Sequence, residues 1–262
     1  MKKKVLLAFS GGLDTSFCVK YLAEDLGFEV HTLTVDTGGF SREEVVQIEK
    51  RAFDLGVTSH KTEDVTRYYH DHIIRFLVFG NILKNGTYPL SVSAERMVQA
   101  LAVARYAGEI GASAVCHGST GAGNDQVRFD MALHILAPGM EIITPIRDLK
   151  LSREAEIEYL RKKNVAYNFE KASYSVNKGL WGSSVGGKET LNSVGMLPEE
   201  AWPTQVTKSN SEMVVLEFIK GELKSVNGKM FSHPVEAIRN LQQIAGGYGI
   251  GRDIHVGDTI IG

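Results

Sequence analysis

The feature that most constrains this chain is a break near its start. Lys4-Val5-Leu6-Leu7-Ala8-Phe9 is almost wholly apolar. It gives way to Ser10-Gly11-Gly12-Leu13-Asp14-Thr15-Ser16, and a second apolar pattern follows at Phe17, Tyr21, Leu22 and Leu26. An apolar run this short, closed by a glycine pair, predicts a buried strand, and the spacing after it predicts a helix capped by Asp14, Thr15 and Ser16. Gly11 and Gly12 permit positive φ and leave no Cβ between backbone and ligand, so the N–H groups of the loop can face an anion at the helix N-terminus. No Lys follows the glycines as in G-x-x-x-x-G-K-[ST], and the spacing G-x-G-x-x-G is also missing, which excludes the two common phosphate loops. An ordinary strand-to-helix turn needs only the glycines. A carboxylate at Asp14 beside polyphosphate is repelled unless a divalent cation lies between them, so the pattern S-G-G-x-D-[ST] implies Mg²⁺.

After this loop the chain alternates. Strands are expected at 29–35, 57–61, 112–116 and 141–144. Helices are expected at 42–55 behind a Ser41 cap, at 64–79, at 93–110 and at 152–163 behind a Ser152 cap. Alternation of this kind predicts an α/β fold with a doubly wound parallel sheet, in which ligands collect at the carboxyl ends of the strands beside the topological switch point. The loops after the first strand and after 112–116 are therefore expected to meet. Residues 168–211 are rich in Gly and Ser, yet carry Tyr174, Trp181 and Trp202, which a solvated linker does not need, so this stretch reads as a substrate-facing loop. A hairpin turning at Gly221-Glu222, a helix at 234–244 and a strand at 253–261 complete the pattern. The domains are expected at 1–165, binding nucleotide, and 166–262, smaller and apparently cut short.

Bulk properties narrow the partners. The 262 residues carry a net charge of −2, so nothing in the totals marks a nucleic-acid or anionic-membrane binder, and small-molecule chemistry is favoured. The only two cysteines, Cys18 and Cys116, fall inside predicted elements, which suits buried thiols and a reducing, cytoplasmic compartment. The apolar run after the N-terminal lysines is too short for a signal peptide, and no run approaches a membrane span.

A second constellation reads His117-Gly118-Ser119-Thr120-Gly121-Ala122-Gly123-Asn124-Asp125-Gln126-Val127-Arg128. Its glycines allow close backbone approach beside an amide, a carboxylate and a guanidinium. A carboxylate there can hold an amine and an arginine can hold a carboxylate, as an amino acid substrate requires. Alone, Asn124-Asp125 reads more readily as a helix cap than as a substrate contact. The first loop resembles that of the N-type ATP pyrophosphatases. With H-G-[AS]-T-G-x-G-N-D-Q-V-R-F added, the chain from Val5 onward resembles the argininosuccinate synthase family.

That resemblance implies an adenine nucleotide alpha hydrolase-like, Rossmann-like fold followed by a smaller α+β synthetase domain. It also implies a ligase that joins citrulline to aspartate through a citrullyl-adenylate, releasing AMP and pyrophosphate, in arginine biosynthesis and the urea cycle. By motif, Ala8, Phe9, Ser10, Gly11, Gly12, Leu13, Asp14, Thr15, Ser16, Val35 and Gly118 would bind ATP. Thr120, Asn124 and Asp125 would bind aspartate. Tyr88, Ser93, Asn124, Arg128, Ser175 and Ser184 would bind citrulline. Asp14 and Asp125 are the catalytic candidates, with Asp14 also the Mg²⁺ candidate. The family further implies a homotetramer for the full-length form, with no nucleic-acid or membrane partner. Two departures stand out: Ala122 replaces a common Lys, and Gly257 replaces a citrulline-contacting Glu whose work Asp258 would have to take over. The alternatives are another adenylating pyrophosphatase, thiolating or amidating, and a nucleotide-binding module without turnover.

Overall fold

A computed structural model of the chain describes residues 2–121, 124–166, 174–192 and 194–255. The order is β1 (Lys4–Ala8), α1 (Leu13–Lys20), β2 (Glu29–Asp36), α2 (Arg42–Asp54), β3 (Ser59–Asp64), α3 (Thr66–Tyr69), α4 (Arg75–Phe79), α5 (Ser91–Glu109), β4 (Ala114–Cys116), α6 (Asp125–Leu136), β5 (Glu141–Ile143), α7 (Pro145–Asp148) and α8 (Arg153–Lys162). Then follow β6 (Tyr174–Gly179), β7 (Gly182–Gly187), β8 (Leu216–Ile219), β9 (Glu222–Val226), β10 (Lys229–Met230) and α9 (Pro234–Gly246). Packing separates two units that are interleaved in sequence. One holds 2–65 and 93–166 of the described residues, and the other holds 66–92 and 174–255. The expected partition at 165/166 follows chain order, whereas the 66–92 excursion packs with the second unit.

The first unit is the expected parallel sheet, in the order β3-β2-β1-β4-β5. β1 pairs with β2 on one side and β4 on the other, all in parallel, so the chain reverses its winding between β1 and β4. Val5, Leu6 and Leu7 are fully buried, as a strand covered on both faces must be. Ser41 caps α2 in a complete box with Glu44, and Ser152 caps α8 by accepting from the Ala155 N–H. Cys18 and Cys116 are buried free thiols, and hydrogen bonding between them together with burial pushes the Cys18 thiol well up. No helix among the described residues is long and apolar enough to cross a membrane.

Two expectations for the first helix need correction. Its N-cap is Gly12, with no side-chain cap bond, and Asp14, Thr15 and Ser16 lie inside the first turn. The Ser16 hydroxyl instead donates back to the Gly12 carbonyl at 2.7 Å. The helix then widens into a π turn at Tyr21–Asp25. One extra residue in the turn shifts the phase of the helix, so Leu22 stays buried while Leu26 is left 43% exposed.

In the second unit, α3 runs through another π turn, His70–Ile74, into α4. The stretch expected to be irregular contains the antiparallel hairpin β6–β7. Trp181 ties this hairpin down by donating its indole N–H to the Pro89 carbonyl at 3.0 Å. β10-β9-β8 form a second antiparallel sheet, turned at Lys220-Gly221, one residue earlier than expected. Both turn residues have positive φ, as a two-residue hairpin with the right twist demands. Asp253, Ile254 and His255 form no strand, and the remainder of that expected element lies outside the described residues, as do Ala122, Gly257 and Asp258.

His70, Asp71 and His233 come together in this unit, their ligand atoms within 4.8 Å of one another. They are linked by hydrogen bonds. The His233 Nδ1 accepts the Val235 backbone N–H at 3.2 Å, which leaves Nε2 to face Asp71.

Candidate functional site

The turn after β1 is built by its own side chains. Gly11 takes φ +73°, and a Cβ there would lie 3.1 Å from the Ile48 side chain. The Gly11 carbonyl accepts from Arg51 of α2, a residue the sequence reading passed over. The Ser10 hydroxyl accepts the Gly12 N–H at 3.3 Å and lies 3.3 Å from the Thr15 hydroxyl. Phe9 and Leu13 are buried, so these two ATP candidates offer backbone and not side chain. Val35, in β2, is also buried and has only its main chain to give.

The turn after β4 meets this one. A Cβ on Gly118 would lie 3.3 Å from the Asp14 Cβ and 3.4 Å from the Thr15 Cγ2, so the Gly118 backbone rests on the first turn of α1. Two turns from neighbouring strands at a winding reversal make the crevice in which open α/β sheets bind ligands. The arrangement brings the N-terminal end of an eight-residue helix and the Ser10 and Thr15 hydroxyls to one backbone surface, with Asp14 in the first turn of that helix.

A buried network that sequence reading missed holds the second turn. The His117 Nδ1 accepts the Ser119 N–H at 3.4 Å, which fixes the ring proton on Nε2, and Nε2 donates to Asp130 at 2.9 Å. Arg147 of α7 donates to the other Asp130 oxygen at 2.5 Å and to Gln126 at 3.2 Å. Gln126 in turn donates to the Gly121 carbonyl at 2.6 Å. Partial burial works to raise the Asp130 carboxyl, but the bonds from His117 and Arg147 prevail and hold it at about 2. Arg147→Ala is expected to destabilise the protein by about 2 kcal/mol at neutral pH, discounted for the partly exposed pair. Because Asp130 stability is present above its unfolded value and lost as pH falls through about 2, the deficit should shrink in acid. Thermal melts from pH 7 to pH 3 measure both.

Asp125 begins α6, with Asn124 at the N-cap position but making no side-chain cap bond. The cap reading of this pair therefore fails for the Asn124 side chain. The Asp125 carboxylate sits between two guanidinium groups, Arg96 at 2.9 Å and Arg128 at 3.0 Å. Thr120 is exposed, whereas Ser93, in α5, is half-buried. The other citrulline candidates lie in the second unit. The Tyr88 ring lies 5.3 Å from that of His255 at a tilt of 56°, and its hydroxyl accepts from Ser91 at 3.5 Å. Ser175 and Ser184 stand on β6 and β7, opposite Gly186 and Asn177. A Cβ on Gly182 would lie 3.1 Å from the Ser91 Cβ, so the hairpin packs against the segment that follows Tyr88. Within that unit, three residues far apart in sequence are thus carried by touching segments.

Glu156 was also missed. It occupies the buried face of α8 with Leu160, is 2% exposed, and its Oε2 has no hydrogen-bond partner. Burial pushes its carboxyl up to about 8, with the neighbouring Asp14 adding to the rise through charge and a hydrogen bond. A charge on an otherwise apolar helix face was the available signal.

Comparison with known proteins gives one consistent result. The family described as Arginosuccinate synthase N-terminal HUP domain matches residues 4–166, and that described as Arginosuccinate synthase C-terminal domain matches residues 174–262. A protein from Methanocaldococcus jannaschii named argininosuccinate synthase is 41% identical over 100% of this chain and 66% of its own length. Proteins of the same name from Xylella fastidiosa and Sulfolobus acidocaldarius are 40% and 36% identical, each over 99% of this chain and 66% of their own. The chain thus spans just under two thirds of the length of these relatives.

Proposed function

From the premise that this chain belongs to the argininosuccinate synthase family, we propose that it carries the ATP-dependent ligation of citrulline and aspartate. The observation that supports this most is the contact of Gly118 with the Asp14 turn, which joins the nucleotide and acceptor motifs in one crevice. ATP would lie with its phosphates on the backbone of residues 10–16 and Gly118, facing the N-terminus of α1. Arg128, Asn124 and Ser93 are the citrulline candidates of the first unit and Tyr88, Ser175 and Ser184 those of the second, and aspartate would be held by Thr120, Asn124 and Asp125.

In this reading the ureido oxygen of citrulline attacks the α-phosphorus and pyrophosphate leaves. The amine of aspartate then displaces AMP. Neither step needs a covalent enzyme intermediate, so the residues act by placing reactants and by stabilising charge. Mg²⁺ fits the donor set, which near Asp14 is oxygen throughout: a carboxylate and the Ser10 and Thr15 hydroxyls. Asp14 would hold it, and its charge would offset that of the departing pyrophosphate. Asp125 would orient the attacking amine, a reading supported by the two guanidinium groups, Arg96 and Arg128, that hold its carboxylate. The setting proposed is cytoplasmic arginine biosynthesis, with a homotetramer as the full-length assembly. Thiolation is the weaker reading, because both thiols are buried and Cys18 is held in its neutral form.

The test is pyrophosphate release measured with citrulline and aspartate together and with each omitted. Release that requires citrulline is expected. Release that ignores citrulline would point to another acceptor, and ATP binding without release would point to an inert module.

A further inference from the structure

A chain of buried polar contacts runs across the first unit from the end of β2 to the start of α6. The Thr37 hydroxyl donates to the Glu95 Oε2 at 2.9 Å. Arg96 reaches the Glu95 Oε1 at 3.4 Å with one nitrogen, which also donates to the Gln99 Oε1 at 2.8 Å. Its Nε donates to the Asp125 Oδ2 at 2.9 Å. Thr37, Glu95 and Arg96 are all buried, Glu95 to 2% exposure. None of these three belongs to the residues assigned above to ATP, citrulline or aspartate, yet they join the strand that carries Val35 to the acceptor carboxylate.

We propose that Glu95 is a positioning residue that acts through Arg96 to set the hold on the Asp125 carboxylate, so that its charge state tunes the affinity for the attacking amino acid. This rests on the functional reading above for the identity of that acceptor. The physical argument is one of competition. Arg96 carries a single positive charge and faces two carboxylates, Glu95 and Asp125. While Glu95 is neutral, it does not compete for that charge, and the pull on Asp125 is at its strongest. Once Glu95 ionises, the charge is divided, and Asp125 is less firmly placed toward an incoming amine. Burial pushes the Glu95 carboxyl up to about 7, against the pull of Arg96 and the Thr37 hydroxyl and with the Asp125 charge adding to the rise. The changeover therefore falls near neutrality. The groups facing Glu95 are Arg96 on its own helix, Thr37 after β2, and Asp125 on α6, itself bonded by Arg128.

The experiment uses the whole chain in two measurements. In the first, KM for aspartate and for ATP is followed from pH 6 to pH 8.5 by pyrophosphate release in wild type, Glu95→Gln and Arg96→Gln. Wild type is expected to show the aspartate KM rising about threefold to tenfold through pH 7, while the ATP KM stays flat. Glu95→Gln should remain at the low-pH value throughout. Arg96→Gln should raise the aspartate KM about tenfold or more at every pH, with the ATP KM within about twofold. In the second, infrared difference spectroscopy follows the protonated carboxyl signal that Glu95→Gln removes. Asp125→Asn should move its midpoint to lower pH, since one neighbouring negative charge is gone.

Identical aspartate pH curves for wild type and Glu95→Gln in an active protein would overturn the proposal. So would a Glu95 midpoint that ignores Asp125→Asn. If wild type releases no pyrophosphate while the midpoint shifts as expected, the linkage stands and the functional reading is the part that falls.

Discussion

Asp14→Ala is expected to lower citrulline-dependent pyrophosphate release by about a thousandfold while leaving the melting temperature at pH 8 unchanged or higher. The loss of rate follows from position. Asp14 lies in the first turn of α1, where helix N–H groups and the Gly118 backbone converge, and in the proposed ligation a cation there would offset the charge that develops on the leaving pyrophosphate. The gain in stability follows from Glu156, whose buried carboxyl is pushed up by burial first and by Asp14 second. Removing Asp14 removes that repulsion. A variant that is inactive and at least as stable as wild type separates a functional carboxylate from a structural one. Near-normal pyrophosphate release from Asp14→Ala would sink the assignment of the loop. An inactive variant with a much lower melting temperature would reduce Asp14 to a fold residue.

That Asp14 was identifiable at the outset, and Glu156 was not, shows what a sequence exposes. Asp14 sits in a local pattern, strand, glycine pair and helix start, in which each residue type has a backbone reason to be where it is. The same holds for the Ser41–Glu44 box and the Ser152 cap, which are decided within four residues. The meeting of Gly118 with Asp14 was also expected, because alternating strands and helices leave few topologies and each puts loops at the carboxyl ends of the strands. By contrast, Glu95 reaches Thr37 across 58 positions and Arg147 reaches Asp130 across 17, through side chains whose partners no local spacing announces.

The irregular middle of the chain fails for a related reason. The β6–β7 hairpin is made of Gly, Ser, Asn and Lys around Val176 and Val185, so it shows no apolar alternation from which a strand can be read. It is held by backbone pairing and by Trp181 on Pro89, and that tryptophan, with Tyr174 and Trp202, spoke against a solvated linker. The π turn after α1 likewise leaves no mark in composition, and Leu26, the residue that closes it, is left exposed. Local chemistry therefore marks the turn after β1 as a candidate nucleotide loop, and the side-chain contacts around it stay hidden until the sheet is assembled.

Glu156→Gln is the second large effect expected, and it is one of stability against pH. Glu156 is almost inaccessible, has one oxygen without a partner, and is raised from an ordinary 4.5 to about 8. A folded-state value above the unfolded one means that the protein binds the proton more tightly when folded. The associated stability is complete below about pH 4.5 and is lost as pH rises through 8. Wild type should therefore melt at progressively lower temperature between those limits. Glu95, raised to about 7, contributes a smaller loss of the same sign. Glutamine keeps the shape and removes the titration, so Glu156→Gln should match wild type near pH 4.5 and exceed it at pH 8 by about 2 kcal/mol, or roughly 5 °C. A slope between pH 4.5 and 7 should persist in that variant and disappear only when Glu95→Gln is added. Parallel melting curves for wild type and Glu156→Gln across the whole range would mean that the carboxyl stays ionised throughout. The repulsion by Asp14 would then not be felt in the folded protein, and the reason for Asp14→Ala to gain stability would go with it.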